Sequence, residues 1–238
     1  MKKIFSVIFG VIVLAGIASA NGLVACGIAP IAFNQLLSGG TLSAGCEIGD
    51  YEYTNFAVSG GIGAIDTNAA NVTATFALNN NGFNSTFNLN DANAFAENFV
   101  LTYTLTLDST QPPASLQPAG VYEISRASSG LQDNGFGTDS ATWNKQVFTS
   151  PGNVLLGNDL TTDTNGSSSS SGAVSFRQLV LNITDTYVVT NFTVGEGYIL
   201  NLSNTYTQTA AEPSTMALFG IALIGLGVFA RKHRKARA

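Results

Sequence analysis

The sequence predicts an all-β fold, an antiparallel two-sheet sandwich of jelly-roll or Ig-like type, flanked by an N-terminal signal peptide and a C-terminal apolar helix. Three observations carry this reading. Apolar and polar residues alternate in a series of short stretches, those stretches are rich in Thr and aromatic side chains, and Gly, Asn, Asp and Pro fall between them. Period-two alternation places one set of side chains against a core and the other in water, and Thr and aromatic residues suit a pleated, half-buried surface.

In chain order, the stretches are Tyr51 to Val58, Val72 to Leu78, Phe99 to Leu107, Val121 to Ser125, Val174 to Thr184, Tyr187 to Val194 and Tyr198 to Thr207. The clearest is Leu101-Thr102-Tyr103-Thr104-Leu105-Thr106-Leu107, whose Leu and Tyr residues share one face and whose threonines share the other. Near the end, a meander is expected. Leu179, Leu181 and Ile183 lead to a reversal at Asp185-Thr186, and Gly195-Glu196-Gly197 turns the chain again into Tyr198-Ile199-Leu200. Asn158 to Gly172 has no apolar residue after Leu160 and reads as a loop, and Gln111-Pro112-Pro113 marks a second break.

The ends are of another character. Lys2 and Lys3 precede the uncharged apolar run Ile4 to Ile17, and Ala18-Ser19-Ala20 supplies the small residues that a signal peptidase reads. Residues 1–20 are therefore expected to be a cleaved signal, since fourteen residues span only about 21 Å of a hydrocarbon layer of roughly 30 Å. An extracytoplasmic β-sandwich domain is expected over 21–206 and a linker with a sorting motif over 207–215. Met216 to Ala230 is an apolar membrane segment, and 231–238 is a basic cytoplasmic tail in which Arg231, Lys232, Arg234, Lys235 and Arg237 act as the stop.

All fifteen carboxylates lie between Glu47 and Glu212, where the only cations are Arg126, Lys145 and Arg177. Residues 21–212 thus carry a net charge of −12, which excludes a reader of nucleic-acid backbones. In an exported chain, Cys26 and Cys46 are expected to form a disulfide. The competing reading takes Leu23-Val24-Ala25-Cys26 as a lipoprotein box, with a lipid on Cys26.

Glu212-Pro213-Ser214-Thr215, the apolar segment after it and the Arg/Lys cluster together resemble the PEP-CTERM sorting signal of Gram-negative bacteria. The motif's Glu and second Pro correspond to Glu212 and Pro213, with Ser214 following, whereas Ala211 replaces its first Pro. Cys46-Glu47-Ile48-Gly49-Asp50, running on to Asn55-Phe56, is similar to a segment near the start of other proteins bearing this tail. The resemblance implies recognition by an exosortase-type processing enzyme after signal-peptidase cleavage, with an inner-membrane intermediate. It further implies residence on the outer surface or in the extracellular matrix, in association with exopolysaccharide.

Chemistry-bearing patterns are sparse. The single histidine, His233, lies in the basic tail, which excludes Ser-His-Asp and Cys-His machinery and histidine-held metals from the domain. A Ser-Lys pair would need Ser140 and Lys145, the domain's sole lysine, which otherwise reads as a surface residue. Asp159, Asp163 and Asn165 sit in an oxygen-rich stretch that echoes a calcium loop, the alternative being a solvated loop without a cofactor. The resulting expectation is a non-enzymatic envelope or matrix protein. Two alternatives stand beside it: a secreted carbohydrate-active enzyme working through paired carboxylates, and a coat protein that self-associates through strand edges.

Overall fold

The computed structural model describes residues 23–27, 29–60, 72–79, 83–91, 95, 97–108, 122–133, 140–164, 167–170, 174–190 and 199–210. The expected signal peptide, sorting motif, apolar segment 216–230 and basic stop lie outside these residues. Among the described residues no helix is long and apolar enough to cross a membrane.

The first half of the domain holds strands β1 (Val24–Ala25), β2 (Ile31–Ala32), β3 (Cys46–Ile48), β4 (Tyr51–Gly60), β5 (Val72–Asn79), β6 (Asn84–Asp91) and β7 (Phe99–Leu107), with a short 3-10 turn at Phe33–Gln35. The second half holds β8 (Tyr122–Asp133), β9 (Ser140–Thr149), β10 (Leu155–Thr164), β11 (Ser167–Ser170), β12 (Val174–Gln178), β13 (Val180–Thr190) and β14 (Ile199–Ala210). They form two sheets, one in the order β1-β3-β4-β7-β13-β9-β10-β11 and the other β12-β8-β14-β6-β5-β2. All the pairings are antiparallel except that of β1 with β3. The expected two-sheet sandwich is the fold.

The inner faces follow the alternation read from the sequence. Leu101, Tyr103, Leu105 and Leu107 of β7 meet Phe76, Phe87, Leu89, Ile124, Leu202 and Tyr206 from the other sheet in one buried core. Aromatic rings dominate its middle: Tyr53 lies edge-on to Phe76 at 5.0 Å between centroids, and Phe87 is edge-on to Tyr103 at 5.4 Å. Such geometry sets the positive ring edge against the negative face of its neighbour. In β4 the alternation slips by one residue at Thr54-Asn55, where the register shifts and Asn55 takes φ 57. The bulge returns Phe56 to the core, and Asn tolerates that left-handed backbone better than most residues.

Four points of the sequence reading need correction. The reversal at Asp185-Thr186 does not occur, because β13 runs unbroken from Val180 to Thr190. Asp185 is its central inward residue, and the charge that reads as a turn is instead paired inside the core. Asn158 to Gly172 is not a loop over its described part, since β10 lies in the sheet against β9 and pairs on its other side with β11. Third, β6 and β9 carry no clear strand signal, as Asn-rich outer positions and Lys145 at a core position hide their alternation. The last strand also continues to Ala210, into the stretch expected as linker.

Candidate functional site

The outward faces of the sheets are built from hydroxyl and amide side chains in register. Across the second sheet, Asn79 faces Asn84, Asn84 faces Thr207, Thr207 faces Arg126 and Arg126 faces Ser175. Neighbouring rows repeat the pattern, with Thr75, Asn88 and Ser203 in one and Thr86, Thr205 and Ser128 in another. The first sheet does the same: the Thr104 hydroxyl donates to Asn182 Oδ1 at 3.2 Å, and the Asn182 amide donates to Asn153 Oδ1 at 2.6 Å. The strand period of two makes this polar lattice the obligatory other side of an aromatic core.

One end of that lattice dips into a shallow depression. Where β12 joins β8, the register shifts on both sides of Ser125, once against β14 and once against β12. At this bulge lies a shallow, open groove of about 590 Å³ lined by Ser125, Arg126, Ser175, Phe176, Arg177, Thr207 and Thr209. Arg126 and Arg177 are exposed, whereas Phe176 is half-buried with its ring backed by the core. The Ser125 hydroxyl donates to the Thr207 carbonyl at 3.1 Å, tying the bulge to β14. Two of the three cations in residues 21–212 therefore border one groove. Its guanidiniums can grip carboxylates, and its hydroxyls can exchange hydrogen bonds with other hydroxyls.

The third cation is buried in the middle of the sandwich. The Lys145 ammonium donates to Asp185 Oδ1 at 2.8 Å and Oδ2 at 3.1 Å, to the Tyr206 hydroxyl at 3.1 Å and to the Tyr103 hydroxyl at 3.4 Å. Lys145 and Asp185 are both 0% exposed. Tyr103 also donates to Asp185 Oδ2 at 3.2 Å and shares a hydrogen bond with Tyr206. Burial pushes the Asp185 carboxyl above, and the Lys145 amine below, their ordinary ranges, with the mutual attraction of the pair opposing both shifts. The lysine expected at the surface is thus a core residue. It also forms no pair with Ser140, which lies on the outward face of the same strand.

The expected calcium ligands do not assemble. Asp159 and Asp163 point inward from β10 and are buried, and Asp159 Oδ2 accepts from the Ser129 amide at 2.7 Å and the Ser129 hydroxyl at 2.9 Å. Four residues of extended strand set Asp159 and Asp163 about 13 Å apart along the same face of β10, too far to share one cation as neighbouring positions of a loop can. Asn165 lies outside the described residues, and among those described there is no group of three acidic, Cys or His side chains suited to a metal. Cys26 and Cys46 do meet in a disulfide, so the lipid-bearing Cys26 reading gives way. Gly45, just before Cys46, has φ +105, and a Cβ there would overlap the Tyr53 carbonyl.

Residues 212–235 match the family profile of the PEP-CTERM protein-sorting motif. The chain carries a PEP-CTERM sorting tail. Glu212, Pro213 and Ser214 open the match, and Arg231, Lys232, Arg234 and Lys235 close it. A PEP-CTERM tail implies export in a Gram-negative bacterium, recognition by an exosortase and processing while anchored in the membrane. No curated protein is similar enough in sequence to count as a relative. Among solved structures, TmCBM61 in complex with beta-1,4-galactotriose aligns over 66% of this chain and 88% of its own, at 13% identity and a TM-score of 0.26. So remote a likeness carries no argument about a ligand. Nothing in the sequence flagged the groove, because Arg126 and Arg177 are 51 positions apart and are brought together only by the pairing of β8 with β12.

Proposed function

We propose that this PEP-CTERM protein is a non-enzymatic component of the cell surface or extracellular matrix, which holds an acidic polysaccharide in the groove between β8, β12 and β14. The groove itself carries this reading. In a domain with a net charge of −12, cations are scarce, and Arg126 and Arg177 flank a half-buried Phe176 among four hydroxyl side chains. A guanidinium pairs with a sugar carboxylate through two parallel hydrogen bonds. The Ser and Thr hydroxyls meet the hydroxyl groups of the sugar, while Phe176, packed against the core, fixes β12 beneath them. The domain's other carboxylates repel a polyanion and so confine contact to this end of the sheet.

The test is affinity electrophoresis of the mature protein through gels containing either a polyuronate or a neutral glucan. Retardation by the polyuronate alone is expected, and removal of both guanidiniums should abolish it. Equal mobility in the two gels would overturn the reading. Sorting is tested separately: Glu212→Ala with Pro213→Ala should leave full-length protein in the inner membrane, whereas unaltered release would deny the tail its role as a processing site.

A further inference from the structure

Lys145 occupies the position in this fold where a primary amine and a carboxyl group are best placed to react. On β9 it lies directly opposite Asp185 of β13 on one side and Asp159 of β10 on the other, all three pointing into the core. Its Nζ sits 2.8 Å from Asp185 Oδ1, neither side chain is exposed, and the rings of Tyr206 and Tyr103 flank the amine at 5.2 and 5.9 Å. We infer that Lys145 and Asp185 condense to an intramolecular amide, a covalent tie between β9 and β13 at the centre of the sandwich.

The chemistry is self-contained. A proton passes from the ammonium to Asp185 across the 2.8 Å hydrogen bond, leaving a neutral amine beside a neutral carboxylic acid. Burial favours this state, since it raises the carboxyl and lowers the amine. The Nζ lone pair then attacks Cγ, and the Nζ–Cγ bond forms. The hydroxyl group leaves with a proton from Nζ as one molecule of water. No oxidant, nucleotide or metal is needed.

Three features of the site favour the amide. Holding the reactants on adjacent strands replaces an encounter in solution, which is worth an effective concentration of about 10⁵ M or more in well-aligned systems. Tyr103 donates to Asp185 Oδ2, where negative charge grows as Cγ becomes tetrahedral. Its hydroxyl remains protonated, because burial, followed by the charge of Asp185, lifts it well above the ordinary tyrosine range. Finally, a neutral amide replaces a buried ion pair whose desolvation cost its mutual attraction must otherwise offset.

The experiment is tryptic mapping of the full-length protein and of the form recovered from the native host, both unfolded and reduced before digestion. With the amide in place, trypsin cannot cut after Lys145. Residues 127–177 should then appear joined to the peptide that begins at Gln178, lighter by one water than the two peptides apart. Asp185→Asn should give the same branched peptide by loss of ammonia, and Tyr103→Phe should lower the cross-linked fraction in freshly made protein. Asp185→Ala should restore cleavage after Lys145. If a variant fails to fold, the wild-type map decides alone: complete cleavage after Lys145, with two unlinked peptides, overturns the inference.

Discussion

The closed centre around Lys145 and the open groove around Arg126 and Arg177 use the domain's three cations in opposite ways. In the centre one ammonium is fully buried and pinned by an aspartate and two tyrosines. In the groove two guanidiniums stay exposed at the rim of a sheet. Lys145 and Arg126 both sit mid-strand in polar stretches, so the difference lies in which face of the strand each one takes. A cation turned inward becomes part of the scaffold, and one turned outward shapes the surface.

The sharpest way to break this comparison is to remove each cation and measure unfolding by denaturant. Lys145→Ala should cost about 3–5 kcal/mol, because it leaves Asp185 without its partner in a dry core. The amino-terminal edge supplies an intermediate case: Cys26→Ser opens the loop to Cys46, a sequence separation of 20, and should cost about 3 kcal/mol by loss of chain restraint in the unfolded state. Arg126→Ala with Arg177→Ala should shift stability by no more than about 0.5 kcal/mol per residue. It should still weaken polyuronate binding by about tenfold or more, as expected on losing charge-assisted hydrogen bonds. An equal loss of stability at both sites would erase the distinction between scaffold and surface.

The smallest effect sharpens the comparison by pH. Asp50 is buried beside Gln208, whose amide donates to Asp50 Oδ1 at 3.3 Å, and burial raises its carboxyl above the ordinary aspartate value of 3.8 while that hydrogen bond opposes the shift. The folded protein therefore binds a proton more tightly than the unfolded chain. The contribution of Asp50 to stability is fully present below 3.8 and is lost as pH rises through its higher folded value. Asp50→Asn should flatten this part of the stability profile and leave polyuronate binding untouched, which chemical unfolding across mildly acidic pH would reveal.

Much of the fold was legible because burial leaves a period-two trace wherever the inward residue is apolar. Phe99–Leu107 is a strand from end to end, as its alternation requires, and the sandwich follows from giving each such face a cover. The sorting tail was equally legible, since membrane insertion and protease recognition act on a linear segment that needs no tertiary partner. The pairing of Cys26 with Cys46 followed from their number and from export. What the sequence could not convey is the fate of its charges. Lys145, Asp159 and Asp185 read as surface, loop and turn because a charge alone in the chain belongs in water. Only the register of β9 between β10 and β13 places them side by side, where the attraction of Lys145 and Asp185 and the Ser129 hydrogen bonds to Asp159 offset the cost of burial. The groove is tertiary for the same reason: it exists because β12 pairs with β8, and no local property of either strand records that contact.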